Sequence, residues 1–197
     1  MNYGEEHAYW YLRLNGFFPL QNFVVHRHGG NKLRSDVDVL AVRLPLVYEE
    51  IGGQQADWDN FLAAHVPLDR ILGVICEVKT GAFTADELFA RRSLVAATQR
   101  LGLLAPADCE AAADNLMKAP SIQFEQGTIF KMFVSEMVSD GPYLNRTLDD
   151  IRTFLRSRIE HYPHEKFASR HFFPSNLLQE TISAVARPPG RRRPERG

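Results

Sequence analysis

Two short segments place charge where a buried strand should have none. Ser35-Asp36-Val37-Asp38-Val39-Leu40-Ala41-Val42 and Ile75-Cys76-Glu77-Val78-Lys79-Thr80 are rich in Val, Ile and Leu and read as core strands. Burying a carboxylate or an ammonium costs several kcal/mol unless it is paired or bound to a metal. Residues two apart on a strand share a face, so Glu77 and Lys79 point the same way, as do Asp36 and Asp38. Carboxylates from two neighbouring strands with an amine beside them make a site for a hard cation, Mg²⁺ or Mn²⁺, with oxygen ligands. A divalent cation there would activate water and stabilise charge on a phosphate, which is what phosphodiester hydrolysis requires.

The elements that must position these groups follow from periodicity and punctuation. Residues 3 to 15 read as a helix with Ala8, Tyr9, Tyr11 and Leu12 on its apolar side and Gly16 as its stop. Leu20 to Arg27 and Ser35 to Leu44 read as a hairpin around His28-Gly29-Gly30-Asn31, ended by Pro45. Residues 45 to 70 form an insertion, in which Trp58, Phe61 and Leu62 have helical spacing and are expected to be buried. Ile71 to Thr80 is the third strand. Thr84 and Glu87 predict a capped helix running to Leu101, with Gly102 ending it. A helix over Pro106 to Met117 and strands at Ile122 to Phe124 and Thr128 to Met137 come next. Thr147 to Tyr162 carries the stripe Leu148, Ile151, Phe154, Leu155 and Ile159, and its charges suit the helix dipole. A short last helix is expected from Pro174 or Ser175. The tail from Arg187 is too polar and too rich in Pro and Gly to fold. These readings give one α/β domain over 1–186 with a mixed sheet, and a disordered tail over 187–197.

Composition narrows the partners. The 197 residues carry a formal net charge of −1. From Arg187 onward five Arg face one Glu, a local charge of +4, so the remainder is near −5. Any nucleic-acid surface must therefore be local. The tail is expected to add non-specific affinity. No apolar run reaches membrane-spanning length and no signal-peptide pattern opens the chain. Cys76 and Cys109 read as reduced core thiols, and a cytoplasmic setting is expected. The His residues lack zinc-ligand spacing.

An Asp in one apolar strand followed by Glu-x-Lys at the end of the next resembles the PD-(D/E)XK nuclease superfamily, which includes restriction endonucleases and Holliday-junction resolvases. Gly4-Glu5-Glu6-His7-Ala8, Leu12 and Gly16-Phe17-Phe18 resemble the first helix of its small resolvase-like members. The likeness covers roughly residues 3 to 100, with a last core strand near 128 to 138. Val37 stands where the family name has Pro, which leaves Asp36 and Asp38 both open; the resolvase-like pattern favours Asp38. The resemblance implies a restriction-endonuclease-like αβββαβ core with extra C-terminal helices. It implies Asp38 and Glu77 as metal ligands with the Val78 carbonyl as a third. Lys79 would act on the attacking water or the phosphate, and Glu5, or alternatively Glu6, would reach in from the first helix. It further implies a metal-dependent nuclease acting on DNA, with RNA as an open alternative, in defence, recombination or repair. Cutting both strands favours a homodimer. Phosphate contacts are expected from Arg27, Lys32 and Arg34 near the first hairpin, where His26 and His28 add to the basic cluster. Arg91, Arg92 and Arg100, with Gln99, offer more on the helix after Glu-x-Lys. The rival readings are a catalytically inactive nucleic-acid-binding or assembly subunit with the same fold, and a plain interaction domain.

Overall fold

Strand β3 (Ile71–Lys79) is buried without interruption from Leu72 to Val78. A strand hidden on both faces needs helices on both sides of its sheet. The computed structural model of the chain describes residues 2–25, 34–48, 57–84 and 88–162; the side chains of 22–25 and 34–36 lie outside that description. Within it the chain is an α/β protein with a mixed six-stranded sheet between two helical layers.

Helix α1 (Tyr3–Leu14) is followed by β1 (Phe18–Val25) and β2 (Arg34–Arg43), which pair antiparallel with an irregularity between Phe23 and Val24. Helix α2 (Asn60–His65) lies in the insertion, and β3 then pairs antiparallel with β2. Helices α3 (Arg91–Leu101) and α4 (Cys109–Lys118) precede β4 (Ser121–Phe124) and β5 (Gly127–Ser135). β5 lies parallel to β3, from Ile71 against Gly127 to Lys79 against Ser135. β4 pairs with the first half of the far edge of β5, and β6 (Leu144–Thr147) with the second half. Helix α5 (Leu148–His161) ends the described chain.

Side-chain alternation divides the core. Val74, Cys76 and Val78 of β3 with Phe130, Met132 and Val134 of β5 face α1 and α5. Ile75, Ile129 and Phe133 face Leu94 and Ala97 of α3 and Ala113 and Leu116 of α4. The α5 stripe is buried as its spacing predicts, and Thr147 and Asp150 form a reciprocal capping box. In the insertion Leu62 is fully buried, while Trp58 and Phe61 are partly buried against the core.

Three expectations need correction. The helix after β3 starts at Arg91 behind Ala90, which makes no side-chain cap, and Thr84 lies in irregular chain. Leu88 and Phe89, just before it, pack into the core, and Glu87 lies outside the described residues. Strand β1 begins two residues earlier than its apolar run suggested, because Phe18 and Pro19 pair with Val42 and Ala41. Strand β6 carries no alternating pattern and was not expected; it exists because the far edge of β5 gives it backbone partners. The last helix near Pro174, the turn at 28–31 and the tail at 187–197 fall outside the described residues. No helix among the described residues is long and apolar enough to cross a membrane.

Candidate active site at the end of strands β2 and β3

Backbone pairing between β2 and β3 runs from Arg43 opposite Leu72 to Val39 opposite Cys76. The next residue of β2 is Asp38, and its side chain takes over. Asp38 Oδ2 accepts the Val78 N–H at 2.7 Å, which fixes the carboxylate over the Glu-x-Lys segment. Lys79 Nζ lies 4.0 Å from the same oxygen, and the two side chains are 34% and 13% exposed. Burial pushes the Asp38 pKa above its ordinary value; the Val78 N–H and Lys79 oppose the rise and Glu5 adds to it. Its anion is thus not fully compensated by the protein.

Glu77 is 4% exposed and held from the other side. Its Oε1 accepts the Phe89 N–H at 2.7 Å, so the acid is tied to the residue just before the α3 cap. Phe89 adopts a left-handed backbone, φ 52°, which a bulky residue avoids without support. The Cys76 thiol, fully buried, has its pKa raised first by desolvation and then by the fields of Asp38 and Glu77. Cys76 and Cys109 are both free thiols.

Helix α1 reaches this end of the sheet through Gly4. A Cβ on Gly4 would lie 2.6 Å from Thr80 Cγ2 and 2.8 Å from Val78 Cγ1, so only glycine allows the approach. Glu5 stands next to it, but both of its carboxylate oxygens accept hydrogen bonds from Asn2, 3.0 Å from the backbone and 2.7 Å from the side chain. Asn2 Oδ1 accepts the Glu5 N–H in return, completing a capping box. Glu5 therefore acts on Asp38 through its field and serves the helix end with its oxygens.

The sequence matches no family model, no curated protein matches it, and no solved structure matches its fold. The reading of the site rests on its own chemistry.

That chemistry fits a hard cation. Asp38, Glu77 and the Val78 carbonyl offer only oxygen. An oxygen that accepts one N–H keeps a second lone pair. Mg²⁺ is content with one or two carboxylates because it retains several waters. Among the described residues no group of three or more His, Cys, Asp or Glu side chains could hold a metal ion, so an ion here would depend on water and substrate for most of its shell.

One charged group beside Glu77 was missed. Lys131, in the middle of β5, is 1% exposed. Desolvation lowers its pKa to about 8, and Glu77 opposes the fall. A lone Lys in the run Thr128-Ile129-Phe130-Lys131-Met132-Phe133-Val134 is the same anomaly that singles out Glu77 and Lys79, so the signal was present.

The expected phosphate contacts are scattered. Arg91 binds Asp114 at 2.5 Å and Glu110 at 3.6 Å, which turns it toward α4. Arg92, Gln99 and Arg100 are exposed on α3. Arg27, Lys32, His26 and His28 lie outside the described residues, as do the side chains of Arg34 and Asp36.

A second cluster of charge lies under α2. Asp59 Oδ2 accepts from Tyr11 Oη at 2.6 Å and from Arg146 at 2.7 Å, while Oδ1 caps α2 through the Phe61 N–H at 3.0 Å. Asp57 accepts from Arg158 at 3.0 Å and from the Tyr162 hydroxyl. Arg43, fully buried, donates to the Asn15 and Leu68 carbonyls and lies 4.4 Å from the centroid of the Trp58 ring.

Proposed function

We propose that this chain is a metal-dependent nuclease of the restriction-endonuclease-like kind, cleaving DNA phosphodiester bonds with Mg²⁺ or Mn²⁺. The observation that carries the reading is the set at the end of the two strands. Asp38 is clamped to the Val78 N–H with Lys79 beside it, and Glu77 is the residue just before Val78 on β3. The order α1, β1, β2, β3, α3, β5, with β3 and β5 parallel, supports the core that the resemblance implies.

Asp38 and Glu77, with the Val78 carbonyl, would hold the ion. A bound divalent cation supplies an activated water and offsets charge on the phosphate. Asp38 contributes an anion that burial has left short of positive charge, and so favours a cation at this point. Lys79, a third exposed, is placed to meet a phosphate oxygen or to orient the attacking water. Phosphate contacts from Arg92, Arg27 and Lys32 would set register without reading sequence. A homodimer would place two such sites on one duplex, and the cytoplasm is the setting that free thiols suit.

The rival reading is nucleic-acid binding without cleavage. In its favour, Glu77 is already engaged by the Phe89 N–H beneath the β3–α3 connection. Purified protein decides between them. Cleavage of plasmid DNA that needs Mg²⁺ or Mn²⁺ and stops with chelator is the expected result. Salt-dependent binding with no cut under either metal favours the rival.

A further inference from the structure

Lys131 has no part in the reading above. It lies in a row of side chains facing α3, with Ile75 and Glu77 of β3 beside Lys131 and Phe133 of β5. Its surroundings in that layer are apolar, among them Leu88, Phe89, Leu94 and Phe133. An ammonium buried in such a layer costs several kcal/mol unless something answers its charge. Two groups do. The Nζ lies 5.0 Å from the centroid of the Phe89 ring, within cation–π range. The Glu77 carboxylate attracts it.

Phe89 joins the two. Its ring meets Lys131 while its N–H donates to Glu77 Oε1. Its left-handed backbone is disfavoured for an aromatic residue and persists because both ends are held. Remove Lys131 and Glu77 loses a buried positive charge, while the Phe89 ring loses its cation and keeps only apolar and aromatic neighbours, Tyr143 at 5.6 Å among them.

We propose that Lys131 is a positioning residue for Glu77: together with Phe89 it fixes the orientation of that carboxylate near the end of β3. The inference builds on the assignment of Glu77 as a site acid, but its physical core is a three-part latch of Glu77, Phe89 and Lys131.

The test uses the full chain with Lys131→Met, Lys131→Arg, Glu77→Gln and the double variant Glu77→Gln/Lys131→Met. Lys131→Met should speed exchange of the Phe89 amide, read by NMR, while amides of α5 keep wild-type rates. The double variant should exchange no faster than Glu77→Gln alone, because the latch is already open. In cleavage assays Lys131→Met should lower kcat about 10–100-fold at saturating Mg²⁺, the range typical of groups that orient a metal ligand. KM for DNA should stay within roughly twofold. Lys131→Arg, which keeps the charge, should recover part of kcat. Unchanged Phe89 protection in Lys131→Met, or effects of the two single changes that simply add, would overturn the latch. An arginine variant as poor as the methionine variant would overturn the role of charge. Should wild-type protein cut nothing with any metal, the nuclease reading falls, while the exchange and coupling measurements still decide the latch. If Lys131→Met does not fold, Lys131→Arg and the double variant, which buries no lone charge, carry the same comparison.

Discussion

Helix α1 touches both clusters of buried charge. Near its start, Gly4 packs on Val78 and Thr80, beside Asp38 and Lys79. Two turns later, Tyr11 donates to Asp59 in the network under α2. The two clusters are built differently. Asp59 has an arginine, a tyrosine hydroxyl and a backbone N–H, and Asp57 has an arginine and a tyrosine. Asp38 has one backbone N–H and a lysine at the limit of ion-pair distance, and burial still prevails over both. Matched charge ties the insertion to α1 and α5. Negative charge left partly unmatched where the β2–β3 pairing ends is what a cation can complete. Burial alone does not tell the two apart; the partners do, since Asp57 and Asp59 each hold an arginine within 3.0 Å and Asp38 only a lysine at 4.0 Å.

The difference can be broken at either end. The largest effect is expected at the sheet end: Asp38→Ala, Glu77→Ala and Lys79→Ala should each lower cleavage by about 10²–10⁴-fold, the range for a group acting directly in the reaction. Titration with Mn²⁺ separates them, since the two carboxylate variants should bind the ion more weakly and Lys79→Ala should not. Full activity in any of the three removes that residue from the site.

In the matched cluster the loss should appear as stability. Asp59→Ala leaves Arg146 and Tyr11 without their shared partner and removes the α2 cap, at a cost of about 3–5 kcal/mol. Urea unfolding measures it. Cleavage per folded molecule should stay close to wild type, and a stable but inactive Asp59→Ala would erase the distinction between the clusters.

Gly4→Ala tests the contact of α1 with the sheet end. The new methyl meets two branched side chains that cannot swing away, and overpacking of this kind costs about 1–3 kcal/mol. Activity should fall further than stability explains, because Val78 and Thr80 flank Lys79. A neutral Gly4→Ala in both assays would show that α1 is free to shift.

The smallest effect is the sharpest. Burial holds the folded Asp38 pKa above its unfolded value, so ionised Asp38 lowers stability at pH 7. That penalty fades as pH falls through the folded pKa and is gone once the unfolded chain is protonated too. In chelator, Asp38→Asn should therefore raise Tm at pH 7 by on the order of a few degrees, and by much less at pH 3. Asp59→Asn should move Tm the other way at pH 7. Equal signs would refute the contrast.

Much of this was legible in the chain. Charge inside the apolar runs of β2 and β3 marked Asp38, Glu77 and Lys79, because a buried strand admits charge only for a reason. The α5 stripe and the Thr147 cap followed from helical period and cap chemistry alone. What stayed hidden depends on tertiary partners. Strand β6 is defined by the edge it joins. The start of α3 is set by Phe89 meeting Glu77 and Lys131, contacts 12 and 42 residues away in sequence, and no local pattern encodes them. Glu5 was read toward the site, but the same spacing that makes it a helix-start glutamate also makes it the partner of Asn2. The pairing of Arg91 with Asp114 likewise depends on how α4 packs beside α3.

Strand β1 carries one more consequence. At one rim of the sheet, β4 and β6 are each four residues long and share the edge of β5. The opposite rim is β1, eight residues long and, among the described residues, paired with β2 alone. It exposes Phe18 at 58%. A long apolar rim invites a second chain to add a strand and begin aggregation. Pro19, within β1, has no N–H to offer such a chain. The residue that looks like a poor strand former thus guards solubility, and exchanging it for a β-branched residue would endanger the monodispersity of the protein before its fold.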